Sequence, residues 1–136
     1  MVGPGSSSTY NVSKHGVVAL SETLYYELAQ RGAKVKVSVL CPGWVNTRIF
    51  DAERNRPIEL RNDPLTLPVD PAAEAVIQEG RQAAQHGMSP DQVAERMFQA
   101  IRDEQLYIFT HPEMKAWVRT QMEHMLTERN PPLAPA

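Results

Sequence analysis

The sequence predicts an α/β fold with a parallel strand pair, and three observations predict it. Apolar residues recur at three- and four-residue steps from about Ser8 to Arg31. The run "AKVKVSVLCPG" alternates through Val35, Val37 and Val39 and stops at Pro42-Gly43. A second short apolar run, "LYIFT" from Leu106 to Thr110, follows two further helical patterns. A strand, a helix and another strand in that order form a parallel pair with a right-handed crossover. Two strands alone do not make a stable parallel sheet, so the pattern reads as part of a larger one.

Each element has a local cause. In the first helix Val17, Leu20, Leu24 and Leu28 form one face, the preceding serines supply a cap, and Gly32 ends the helix. Valine alternation followed by Leu40 and Cys41 makes the next segment a strand. From Trp44 to about Val69 the chain is irregular, because Pro57, Pro64 and Pro68 interrupt any long element. Asp70-Pro71 starts a helix that runs to about His86 and closes at Gly87. Ser89-Pro90-Asp91 starts another, with Val93, Met97, Ala100 and Ile101 as its apolar stripe. Leu106 to Thr110 reads as a buried strand, and a last helix from about Pro112 to Glu128 carries Met114, Trp117, Val118, Met125 and Leu126. The tail over 130–136 is expected to fray.

Composition narrows the function. The 136 residues permit one domain with a modest core, and 42% hydrophobic with 22% charged residues is ordinary for a globular protein. A formal net charge of −2 gives no reason to expect nucleic acid or an anionic membrane as partner. The apolar runs are too short to span a bilayer, and the first residues lack a signal peptide's basic and apolar regions. A single cysteine, Cys41, excludes an internal disulfide and makes the cytoplasm the expected location. The four histidines have no metal-ligand spacing, so no metal is expected.

Tyr10 and Lys14 stand one helical turn apart on the same face of the first helix. A lysine there gains nothing from the helix dipole, whose positive end lies in those turns. A neighbouring phenol gives it a role. Phenols ordinarily ionise near pH 10, about three units above the range useful for proton transfer at neutrality. An ammonium about 5 Å from a phenolic oxygen favours the phenolate by roughly 3 kcal/mol at an effective dielectric near 20. The helix N-terminus adds about 0.3–1 kcal/mol. Two readings stay open at this point: a pair equipped for general acid/base work, or a surface lysine beside a half-buried tyrosine.

These residues resemble a known family. "TYNVSKHGVVALSETLYYELAQRGAKVKVSVLCPGWVNTRIF" looks like the second half of a short-chain dehydrogenase/reductase. The likeness rests on Y-x-x-x-K as Tyr10 and Lys14, Ser13 before the lysine, the small and apolar helix face, and the strand ending in "CPGWVNT". "MSPDQVAERMFQAIRDEQLYIFTHPEMKAWV" resembles the family's later helix, last strand and C-terminal helix. The resemblance implies the C-terminal part of a Rossmann-like doubly wound parallel sheet, ordered helix, strand, loop with helix, helix, strand, helix. Residues 1–136 would be the C-terminal portion of one such domain, with a substrate-binding loop over about 44–88.

By the same resemblance the protein is an NAD- or NADP-dependent oxidoreductase interconverting an alcohol and a carbonyl. Tyr10 is the implied general acid/base, and Lys14 also hydrogen-bonds the nicotinamide ribose. Pro42 and Gly43 end the strand beside the nicotinamide, with the Val45 backbone and Thr47 on its carboxamide side. The parent enzyme is expected to be a homo-dimer or homo-tetramer in the cytoplasm, acting on a small, hydrophobic molecule. Ile49, Phe50, Ile58, Leu60, Leu65 and Leu67 would either close over that molecule as a lid or anchor a solvated loop.

The sequence departs from the family at its start. It contains no Gly-rich strand-turn-helix to seat the pyrophosphate. Ser6, Ser7 and Ser8 lie too near Tyr10 to be the family's catalytic serine, and Asn11 does not match its relay asparagine. The expectation is a chain without the nucleotide-binding half, weak in cofactor binding on its own and open at the edge of its first strand. Two other readings share the residues: a non-catalytic remnant or interaction module, and an epimerase or dehydratase using the same tyrosine and lysine.

Overall fold

The computed structural model describes residues 8–61 and 71–131. Its elements are α1 (Ser8–Gln30), β1 (Val39–Cys41), two short 3-10 segments (Ile49–Asn55 and Ile58–Leu60), α2 (Pro71–Gln85), α3 (Pro90–Arg102), β2 (Tyr107–Phe109) and α4 (Met114–Leu126). They divide into two compact units, one formed by the chain up to Gly43 with the chain from Val93 onward, the other by Trp44–Gln92.

In the first unit β1 and β2 pair in parallel, as the element order requires, with Val39 opposite Tyr107, Leu40 opposite Ile108 and Cys41 opposite Phe109. Among the described residues its buried apolar side chains are Val39, Val93, Ala100 and Ile108. Gly32, at φ 62°, closes α1: its N–H reaches Ala29 O at 3.0 Å and the Ala33 N–H reaches Leu28 O at 2.9 Å. Tyr107 Oη donates to Glu22 Oε1 at 2.5 Å, tying β2 to α1.

The first strand is shorter than its valine pattern suggests. The chain leaves α3 through a left-handed residue, Glu104 at φ 54°, so β2 contributes only three residues to pair against. Beyond that register Lys36 forms an ion pair with Glu104 at 3.1 Å, Ser38 Oγ donates to Gln105 O, and Val35 stays exposed. The second run is not buried throughout either: Ile108 is buried, while Tyr107 alternates outward. α1 also differs from an ordinary amphipathic helix. None of its residues is buried, and Val17 and Leu20 are more than half exposed. Ile101 of α3 and Trp117, Met125 and Leu126 of α4 are exposed too.

The second unit is not wholly irregular, because its 3-10 segments fall between the prolines. Val45 forms a parallel bridge with Met88, whose N–H donates to Trp44 O while its carbonyl accepts the Asn46 N–H. Trp44 stacks on Phe50 with ring centroids 6.3 Å apart. The start of α3 is a reciprocal cap: Gln92 Oε1 accepts the Ser89 N–H, and Ser89 Oγ accepts the Gln92 N–H. Leu65, Leu67, Pro64, Pro68, Ser6, Ser7 and the tail lie outside the described residues, except residues 130 and 131.

Candidate active site

The first two turns of α1 bring Tyr10 and Lys14 together. Lys14 Nζ lies 5.3 Å from the centroid of the Tyr10 ring, within the range of a cation–π contact. Tyr10 is 58% exposed, so the phenol is open to a ligand. Ser13 Oγ donates to Tyr10 O at 2.7 Å and is turned back into the helix. His15 Nδ1 makes the equivalent bond to Asn11 O at 2.9 Å.

Pro42 and Gly43 lie just past the carboxyl end of β1, where Cys41 pairs with Phe109. A polar cluster around one buried threonine holds the turn. The Gly43 N–H donates to Thr110 Oγ1 at 3.0 Å, and Thr110 is fully buried. Thr110 Oγ1 lies 2.7 Å from His111 Nδ1, and Arg96 donates to Thr110 O at 2.6 Å. The hydroxyl thus bonds both the Gly43 N–H and the imidazole nitrogen. Gly43 is needed for space: a Cβ there would meet His111 Nδ1 at 2.6 Å and Cγ at 2.8 Å. Nothing local in the sequence marks Arg96, Thr110 or His111 as site residues beyond a polar residue ending an apolar run, "FTHP". Burial pushes the Cys41 thiol up, away from nucleophilic use.

Val45 and Thr47 belong to the second unit. Val45 is fixed by its bridge to Met88. Thr47 lines a cavity of about 220 Å³ with Arg48, Asp51 and Arg81. There Asp51 accepts from Arg81 at 2.8 Å and from Arg48 at 3.4 Å, and these bonds, Arg81's first, hold its carboxyl below the usual range. Among the described residues no group of three or more His, Cys, Asp or Glu is arranged to hold a metal ion. No described helix is long and apolar enough to cross a membrane.

The family model for short chain dehydrogenase matches residues 1–57. The CLA biosynthesis dehydrogenase/reductase of Lactiplantibacillus plantarum is 31% identical over 134 residues, 94% of this chain and 44% of that protein. The 1-deoxy-11-beta-hydroxypentalenate dehydrogenase of Streptomyces exfoliatus is 28% identical over 123 residues, 90% of this chain and 35% of that protein. A crystal structure of a short chain dehydrogenase/reductase from Burkholderia phymatum in complex with NAD superposes with a TM-score of 0.87 at 39% identity. That match covers 99% of this chain and 47% of the other. The chain therefore spans less than half the length of these relatives.

Proposed function

Since the chain belongs to the short-chain dehydrogenase/reductase family, we propose that it carries the acid/base and nicotinamide-contacting residues of an NAD(P)-dependent oxidoreductase interconverting an alcohol and a carbonyl. The observation that supports this best is the Tyr10–Lys14 pair, with its ammonium 5.3 Å from an exposed phenol ring. In the oxidative direction Tyr10 Oη accepts the proton of the substrate hydroxyl. In the reductive direction it gives a proton to the carbonyl oxygen. Lys14 supplies positive charge beside that oxygen while it is without its proton, and donates to the ribose hydroxyls.

The residues fit the cofactor on grounds of placement. Ligands of open parallel sheets bind outside the carboxyl ends of the strands. Pro42 and Gly43 occupy that position on β1, and Gly43 is fixed there by Thr110. Val45 and Thr47 follow on the same run of chain and are read as the carboxamide-side contacts. The nicotinamide, when bound, takes up or supplies the hydride. Both NAD and NADP are retained.

A hydrophobic substrate is supported by Ile49, Ile58 and Leu60, which are all more than 60% exposed and available as a lid. Phe50 is instead committed to Trp44. Trp117, Met122 and Met125 offer an apolar surface on α4 for a homo-dimer or homo-tetramer. The interaction-module reading is favoured by one observation, the absence of any buried residue in α1.

The test joins this chain to the part of the Burkholderia phymatum enzyme outside the matched region. The chimera is assayed for NAD(P)-linked oxidation of a panel of alcohols. Tyr10→Phe should lower kcat at least about a hundredfold, the low end of general acid/base effects, with cofactor affinity nearly unchanged. Lys14→Ala should damage both. Undiminished turnover in Tyr10→Phe removes the acid/base assignment.

A further inference from the structure

The cavity of the second unit carries more positive charge than its fold uses. Arg81 Nη1 donates to Asp51 Oδ1 at 2.8 Å, while Arg48 reaches Oδ2 only through Nε at 3.4 Å. Arg54 spends its Nη1 on the backbone oxygens of Arg48 and Asp51, at 2.8 and 2.9 Å. Two guanidinium groups thus share one carboxylate, while a third, that of Arg54, bonds the backbone beside it. The neighbouring acid, Glu53, cannot balance them, because Arg56 holds it at 2.7–2.9 Å.

The geometry is that of a prepared fork. A guanidinium has five N–H donors in a planar array matched to the oxygens of carboxylate or phosphate. Arg81 is positioned by Asp51, by a long bond to Phe50 O at 3.5 Å, and by the Phe50 ring 5.9 Å away. The ring is itself backed by Trp44. Asn46 and Gln85 line the same space, and the Asn46 amide donates to Gln85 O, covering a carbonyl at the end of α2 that would oppose an anion. The volume, about 220 Å³, is below that of pockets for whole drug-sized ligands, roughly 300–1,000 Å³. It suits one group of a ligand.

We infer that this cavity is an oxyanion subsite, holding a carboxylate or phosphate group of a bound organic molecule through Arg81 and Arg48. The oxyanion belongs either to the substrate, which is then a hydroxy- or oxo-carboxylate with an apolar body, or to a phosphate of the cofactor. Only this choice rests on the dehydrogenase reading; binding of the oxyanion does not.

The 136-residue chain is titrated with inorganic phosphate, octanoate and octanol, at constant ionic strength set with sodium chloride. Binding is followed by calorimetry and tryptophan fluorescence, so turnover plays no part and failure of the Tyr10 assignment would not affect the result. Saturable binding of phosphate or octanoate is expected, weakened about tenfold in Arg81→Gln and about threefold or more in Arg48→Gln. Octanoate bound more tightly than phosphate, with octanol silent, assigns the group to the substrate. Phosphate bound at least as tightly as octanoate assigns it to the cofactor. If Arg81→Gln fails to fold, Arg48→Gln carries the test, because that side chain is 72% exposed and replaceable. Neither anion competing with chloride, or binding that is the same in every folded arginine variant, overturns the inference.

Discussion

Replacing Gly43 by alanine isolates the contact that shapes the end of β1. The added Cβ would stand 2.6 Å from His111 Nδ1 and 2.8 Å from Cγ. Cγ is the ring atom nearest the backbone, so turning the ring about its own bond does not clear it. Either the imidazole swings away and loses its bond to Thr110, or the turn lifts and takes the Gly43 N–H from Thr110 Oγ1. Each route breaks a bond to a fully buried hydroxyl. An unmatched buried polar group costs about 1–3 kcal/mol, and overpacking of a closed site costs about the same. The cheaper route governs, so Gly43→Ala should destabilise by about 2 kcal/mol.

The sign reverses when the imidazole is removed. Gly43 does not have the positive φ seen at Gly32, so alanine is compatible with its backbone. In a His111→Ala background the clash is gone, and the stiffer unfolded chain should make alanine neutral or stabilising by about 0.4–1 kcal/mol. Urea unfolding of the four proteins in this cycle reads a coupling of about 2–3 kcal/mol. Equal costs in the two backgrounds would show that His111 does not enforce the glycine. A harmless Gly43→Ala in the unaltered chain would refute the close approach itself.

Three further outcomes follow from other contacts. The bond to Glu22 raises Tyr107 to about 12, above the ordinary value near 10, so its stabilisation is complete below pH 10 and disappears as pH rises through 12; the stability gap between wild type and Tyr107→Phe should shrink over that interval, and a constant gap would contradict the bond. Asp51 has the opposite sign: its lowered value adds stability above the unfolded carboxylate range that is lost on acidification, so Asp51→Asn should flatten the acid limb of the pH–stability curve. Titration of the purified 136-residue chain with NAD and NADP should show no micromolar binding, since its sequence offers no Gly-rich pyrophosphate cradle; saturation at micromolar cofactor by equilibrium dialysis would contradict that.

The candidate site was legible where it is local. Tyr10 and Lys14 meet because a helix brings residues four apart onto one face. Pro42 and Gly43 were readable as the end of a strand. The reason Gly43 must be glycine was not, because His111 arrives from the far end of β2, 68 positions later in the chain. Thr110 is hidden for the same reason: a threonine after an apolar run reads as the edge of a strand until the facing N–H is known. The charge of the second cavity was equally non-local, since Arg81 comes from α2 and Asp51 from a 3-10 segment. In sequence they are separate wet residues. Only their meeting shows that Arg48 has much of its donor capacity left.

The strand and the first helix mark a different limit of pattern reading. Alternation of Val35, Val37 and Val39 specifies which side of an extended chain is apolar, but a ladder also needs a facing backbone. β2 supplies that only from Tyr107 to Phe109, because Glu104 turns the chain immediately before it. Exposure along the valine face falls accordingly, from 67% at Val35 to 4% at Val39. α1 follows the same logic at helical spacing. Its stripe of Val17, Leu20 and Leu24 states where apolar cover is wanted, yet no described element buries any of the three. Those side chains would gain about 25 cal/mol for each Å² of apolar surface removed from water. The local encoding of α1 therefore comes from its propensities and its Gly32 closure, whereas the bond from Tyr107 to Glu22 ties it to β2. Weakening that bond should alter the orientation of Tyr10 and Lys14 before it alters the helix.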